Sequence, residues 1–102
     1  MFDERTPEEE IIDIADFFKM FSDPTRLKIL YLLDRKGEVG VGAIAESLKM
    51  SQSAVSQQLK VLRSSRLVRF KKNGRSIIYR LSDEHIHRVI ELGQEHYEEL
   101  LG

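Results

Sequence analysis

Four residues near the end of the chain have the types and spacing of a metal site: Asp83, His85, His96 and Glu99. Two imidazoles and two carboxylates form a four-coordinate nitrogen–oxygen donor set compatible with tetrahedral zinc or cobalt. The carboxylates also balance the dication once both histidines are neutral. His96 and Glu99, three residues apart, share a helical face. Asp83 follows Ser82 in the cap region, outside the helix proper, so its side chain can converge with that of His85. His87 points about 200° round the helix from His85 and is left out of the set. One helix cannot close this site. His85 and His96 are eleven residues apart, close to three turns, so they face the same way but stand roughly 16 Å from each other. Zinc–nitrogen bonds are only about 2 Å long. Two copies of the helix laid antiparallel would bring the Asp83/His85 end of one to the His96/Glu99 end of the other. The spacing therefore predicts a homodimer that binds metal across its interface, zinc being the expected ion and two the expected number of sites. The plainer alternative is that these are ordinary surface residues of an exposed helix. Against it stands a spacing that works only across a helix pair, with Val89 and Leu92 on the same stripe to give apolar contact.

The elements that must position these residues begin with an acidic segment. Pro7 followed by Glu8, Glu9 and Glu10 is a helix start, with acids facing the positive end of the helix dipole. Ile11, Ile12, Ala15, Phe18 and Met20 or Phe21 continue an amphipathic pattern. Asp23-Pro24 is a second start, Asp as the N-cap and Pro in the first turn. The helix that follows carries Leu27, Ile29, Leu30, Leu32 and Leu33, too apolar for the surface, and should be the buried centre.

Gly37, Gly40 and Gly42 break the chain before a short helix from Val41 to Leu48. Lys49-Met50-Ser51 reads as a tight turn, with Ser51 capping a helix from about Gln52 to Ser64. Val55, Leu59 and Leu62 give that helix one inward stripe. Two helices joined by a short turn form a helix-turn-helix. Leu67 to Lys72 and Ser76 to Leu81 are β-type runs around Asn73-Gly74, which predicts a hairpin with a type I′ turn. A basic hairpin in that place is a wing. A final amphipathic helix from Asp83 to about Leu100 carries Ile86, Val89, Ile90, Leu92, Tyr97 and Leu100. The expected fold is mainly α with a β-hairpin wing. It occupies residues 1–102 as one winged helix-turn-helix domain, dimerised through its first and last helices.

Charge points to the partner. The net charge is −1. Yet from Ser51 to Arg80 there are eight basic residues and no acidic one. The first sixteen residues carry seven acids against Arg5, and the last twenty carry six against Arg88. A polyanion meets the local field, so double-stranded DNA is the expected partner. Gln52, Ser53, Ser56 and Gln57 have side chains suited to base edges in a major groove. Lys60 and Arg63, further along the same helix, would sit nearer phosphates. Lys71, Lys72 and Arg75 on the wing tip would supply backbone or minor-groove contacts. Each of these residues alone is equally well explained as solvated helix surface; the whole constellation is not.

No apolar run approaches the roughly 20 residues of a membrane span, and the acidic start is unlike a signal peptide. The 102 residues include no cysteine, so thiolate metal sites and disulfides are excluded within them. A cytoplasmic location fits. No nucleophile–base pair, phosphate loop or open three-ligand metal site is present, so no enzymatic activity is expected.

Three stretches resemble the ArsR/SmtB family of dimeric winged-helix repressors, and the resemblance covers nearly the whole chain. They are Phe21-Ser22-Asp23-Pro24-Thr25-Arg26-Leu27-Lys28-Ile29-Leu30, then Ser51 through Leu62, then Asn73-Gly74-Arg75 through Tyr79. Zinc sensors of that family carry Asp-x-His-(ten)-His-x-x-Glu/His in the last helix, and Asp83, His85, His96 and Glu99 match it position for position. The resemblance implies a repressor that binds a pseudo-palindromic operator when metal-free and leaves it when zinc binds. It also implies that a ligand histidine could signal to backbone near Arg66. Members that sense soft metals use a Cys-x-Cys pair where this chain has Val39-Gly40-Val41-Gly42, so thiolate sensing of cadmium, lead or arsenite is excluded here. The alternatives are the same fold answering to cobalt, nickel or an organic ligand, and an architectural winged helix that senses nothing.

Overall fold

The computed structural model describes residues 6–102. Helix α1 (Pro7–Lys19) opens on a reciprocal capping box: Thr6 accepts from the Glu9 N–H while the Glu9 carboxylate accepts from the Thr6 N–H. Helix α2 (Pro24–Lys36) opens where expected, with the Asp23 carboxylate accepting from the Arg26 N–H at 3.0 Å. Ile29, Leu30 and Leu33 of α2 are almost completely removed from solvent and form the middle of the core. Helix α3 (Val41–Leu48) and helix α4 (Gln52–Ser64) follow with the boundaries expected from the sequence.

The turn between α3 and α4 depends on Lys49, which takes a left-handed conformation at φ 57°. That conformation costs a non-glycine residue roughly 1–2 kcal/mol. In return the Lys49 and Met50 N–H groups close the α3 end on Glu46 and Ala45, and Ser51 Oγ caps α4 by accepting from Ala54 at 3.1 Å. Val55, Leu59 and Leu62 then point into the same core as α2.

Strands β2 (Val68–Asn73) and β3 (Ser76–Leu81) form the antiparallel wing, joined by β1 (Val39–Gly40) in the order β1-β3-β2. Strand β1 was not expected from the glycine-interrupted stretch that contains it. It exists through pairing with β3, Val39 opposite Tyr79 and Gly40 opposite Ile78. The wing turn also differs from expectation. Asn73 pairs with Ser76, so Gly74-Arg75 is the two-residue loop, and of these only Gly74 has positive φ (65°). Glycine at the first loop position is the signature of a type II′ turn rather than type I′.

Helix α5 (Glu84–Leu101) closes the chain, with Ile86 and Ile90 in the core and Asp83 as its cap. Helix α1 buries no residue in its own protomer. Phe17, Met20 and Phe21 at its end lean on the core, whereas Ile11, Ile12, Ile14 and Phe18 remain exposed. Leu92, Tyr97, Leu100 and Leu101 of α5 are exposed likewise.

Candidate functional site

Burial of Val55, Leu59 and Leu62 turns the opposite side of α4 outward. Gln52, Ser53, Ser56, Gln57 and Lys60 all lie on that exposed side. Gln52 and Ser56 share a groove of about 470 Å³ with Arg75 and Ser76 of the wing and with Gly40–Ala43. The tip of the wing and the start of α4 thus face one continuous concave surface. Lys72 and Arg75 are exposed there. Lys71 is engaged with Glu38 at 3.2 Å, an acid just before β1 that sequence reasoning did not connect to the wing. Both partners are roughly half exposed, and a pair of this kind contributes about 0–1 kcal/mol, so a phosphate can displace Glu38.

Arg63 has a structural role besides its exposed charge. Its guanidinium carbon lies 4.2 Å from the centre of the Phe70 ring, and Phe70 in turn packs against Tyr79 at 5.7 Å. The cation–π contact joins the end of α4 to the wing. Together these contacts fix where the wing stands relative to α4.

At the other end of the molecule, Asp83 and His85 come together as expected. Asp83 Oδ1 accepts from the His85 backbone N–H at 2.9 Å and lies 3.1 Å from the His85 ring Nδ1. Desolvation pushes the Asp83 carboxyl up, but the hydrogen bonds and charge of His85, with help from the Ile86 N–H, outweigh it and hold the group below its ordinary value. The pair borders a groove of about 590 Å³ whose other walls include Phe17, Arg66 and Val89. Arg66 is there because the chain leaves α4 through a left-handed residue, φ 63°. His96 and Glu99 are exposed near the far end of α5 and are not brought to Asp83 and His85 within one protomer. Among the described residues, no three histidine, aspartate or glutamate side chains gather in a way that could hold an ion.

His87, set aside on helical geometry, turns toward α2 while staying partly exposed. Its Nδ1 lies 2.6 Å from Asp34 Oδ1 of α2, and its Nε2 stands 3.9 Å from Glu91. The hydrogen bond to Asp34 and then the charge of that carboxylate raise the His87 pKa, against desolvation. Seven residues further on, Gln94 accepts from the Tyr31 hydroxyl at 2.8 Å and donates to Glu98 at 2.9 Å. Sequence reasoning missed both links, because their partners are 53 and 63 residues apart. Among the described residues no helix is long and apolar enough to cross a membrane.

Residues 23–69, from the α2 cap to the start of the wing, match the family model for bacterial regulatory proteins of the arsR family. The HTH-type transcriptional regulator NmtR of Mycobacterium tuberculosis is 41% identical over 87 residues, 85% of this chain and 72% of that protein. The chain belongs to the arsR family. Another arsR-type relative, the transcriptional repressor SmtB homolog of Synechocystis sp., is 40% identical over 86 residues, covering 84% of this chain. The chain spans 64% of that protein's length. Among solved structures, the homodimeric winged helix-turn-helix DNA-binding domain from Mycobacterium bovis aligns with a TM-score of 0.84 at 30% identity. That alignment covers 96% of this chain and 92% of the other. These arsR relatives are transcription factors rather than enzymes, and the winged helix-turn-helix expected from the sequence is the fold observed.

Proposed function

We propose that this chain is a metal-responsive transcriptional repressor that binds operator DNA as a homodimer when metal-free and releases it when zinc occupies two sites between the last helices. The observation that carries this reading is the Asp83–His85 pair. It is exposed and held at the start of α5, and among the described residues no third histidine, aspartate or glutamate gathers with it to hold an ion. His96 and Glu99 of a second copy would complete the set. The donors fit the ion: imidazole and carboxylate suit zinc, and with no cysteine in the chain nothing in it favours a softer metal. The exposed apolar residues of α1 and α5 supply the surface for the second copy.

Bound zinc would supply a divalent charge cross-linking the two α5 helices. The protein's part is to make that cross-link incompatible with the spacing of the two α4 helices on DNA. Two reading heads require half-sites about one helical turn, or a multiple of it, apart. Linkage then requires zinc and operator to weaken each other equally, typically by about 1–3 kcal/mol.

Titrating zinc into the operator-bound dimer tests the proposal with wild type and His96→Ala. Zinc should release wild type and leave the variant bound. Unchanged DNA affinity in wild type sinks the sensor, and equal release of both sinks the site. The same titration with cobalt and nickel ranks the metals that a nitrogen–oxygen donor set accepts.

A further inference from the structure

Helix α5 is tied to α2 by two polar links that the core packing does not require. Tyr31 and Asp34 lie three residues apart on one face of α2; His87 and Gln94 lie seven apart, about two turns, on one face of α5. The bonds run Tyr31 to Gln94 (2.8 Å) and Asp34 to His87 (2.6 Å), so the two helices are antiparallel across this seam. Ile86 and Ile90 are buried on the α5 side, and α2 presents Leu30 and Leu33 to the same core. From α2 the packing continues to α4 through Leu59 and Leu62, and Arg26 of α2 reaches Gln58 of α4 at 3.5 Å.

We propose that these two bonds act as a strap making α5 and the DNA-reading unit one rigid body, with Tyr31 and Gln94 as positioning residues that convey metal occupancy to DNA affinity. The inference rests on the metal-responsive reading above. An apolar seam alone resists separation but tolerates sliding, since dispersion and hydrophobic contact carry little direction. A hydrogen bond is lost when its partners slip, because its strength falls steeply with angle and distance. Two such bonds two turns apart fix both translation and rotation of α5 on α2. Displacement of α5 at the dimer interface is then passed whole to α4 instead of being absorbed within the protomer. Gln94 also holds Glu98, so the strap is anchored one residue away from Glu99.

The test uses the full chain as wild type, Tyr31→Phe and Gln94→Leu. It measures operator affinity with and without zinc, zinc affinity by competition with a chromophoric chelator, and the thermal midpoint. Tyr31→Phe deletes one hydroxyl and is expected to fold. Both variants should keep metal-free operator affinity and zinc affinity close to wild type while the zinc-induced loss of operator affinity shrinks by about 2- to 30-fold. A wild type that responds to zinc alongside variants that respond equally overturns the strap and spares the sensor. A lowered thermal midpoint with an unchanged zinc response likewise overturns it, showing a merely structural bond. A wild type indifferent to zinc overturns the sensor and the strap together.

Discussion

One carboxylate oxygen, Asp83 Oδ1, accepts the backbone N–H of His85 at 2.9 Å and lies 3.1 Å from the Nδ1 of the same residue's ring. Helix capping and orientation of the candidate ligand are therefore one interaction, and substitutions can separate them. Asn caps a helix as well as Asp does, whereas Ala does not. Asp83→Asn should leave the thermal midpoint nearly unchanged and weaken zinc binding. Asp83→Ala should lose both, the lost cap showing as a thermal midpoint lowered by a few degrees (~4–8 °C). Zinc binding by the Asn variant equal to wild type removes Asp83 from the site.

The Asp34–His87 bond makes stability depend on pH with a definite sign. The folded-state pKa of His87 is raised. Its contribution is thus fully present below the ordinary value of about 6.5 and is lost as pH rises through the raised value. Denaturant midpoints should fall over that window in wild type and change less in Asp34→Asn. An NMR titration placing His87 at or below 6.5 contradicts the assignment.

If α4 and the wing contact DNA as proposed, their side chains should divide into base-reading and phosphate-neutralising ones. Gln52→Ala should cost about 1–3 kcal/mol on the cognate operator and relax preference at one base position. Lys72→Ala should weaken all sequences alike and lower the salt slope of binding by about 1. Competition binding over a series of salt concentrations distinguishes the two patterns. A uniform, sequence-blind loss from Gln52→Ala moves that residue off the base edges.

The apolar surfaces of α1 and α5 should hold the second copy. Placing a charge there, as in Ile12→Glu combined with Leu92→Glu, should convert dimer to monomer in sedimentation while the core built on α2 stays folded. A dimer that survives both charges lies on another face.

Local chemistry explains what was legible beforehand. The caps Asp23 and Ser51 lie next to the turns they initiate, so α2 and α4 could be bounded without knowledge of their surroundings. The inward stripe of α4 gave its outward face by subtraction. What stayed hidden depends on distant partners. Val39 becomes a strand because Tyr79 lies opposite, and His87 turns toward α2 because Asp34 stands there. The wing turn slipped because Asn73-Gly74 is the stronger local signal, yet pairing of Asn73 with Ser76 moved the loop one residue on. The four candidate ligands were legible as a spacing that calls for a second copy, and within one protomer only Asp83 and His85 come together.

Helix α1 has no fully buried residue within its own protomer and touches the core mainly through Phe17 at its end. Thirteen residues are near the lower limit at which a helix stands by itself in water. If α1 and α5 hold the second copy as proposed, the order of this segment follows how many molecules are present, and the abundance of the protein becomes a variable of its structure. Dilution would loosen α1 and the face it shares with α5 before touching the core. A cell holding few copies would keep a folded reading head with an unfinished grip on its twin.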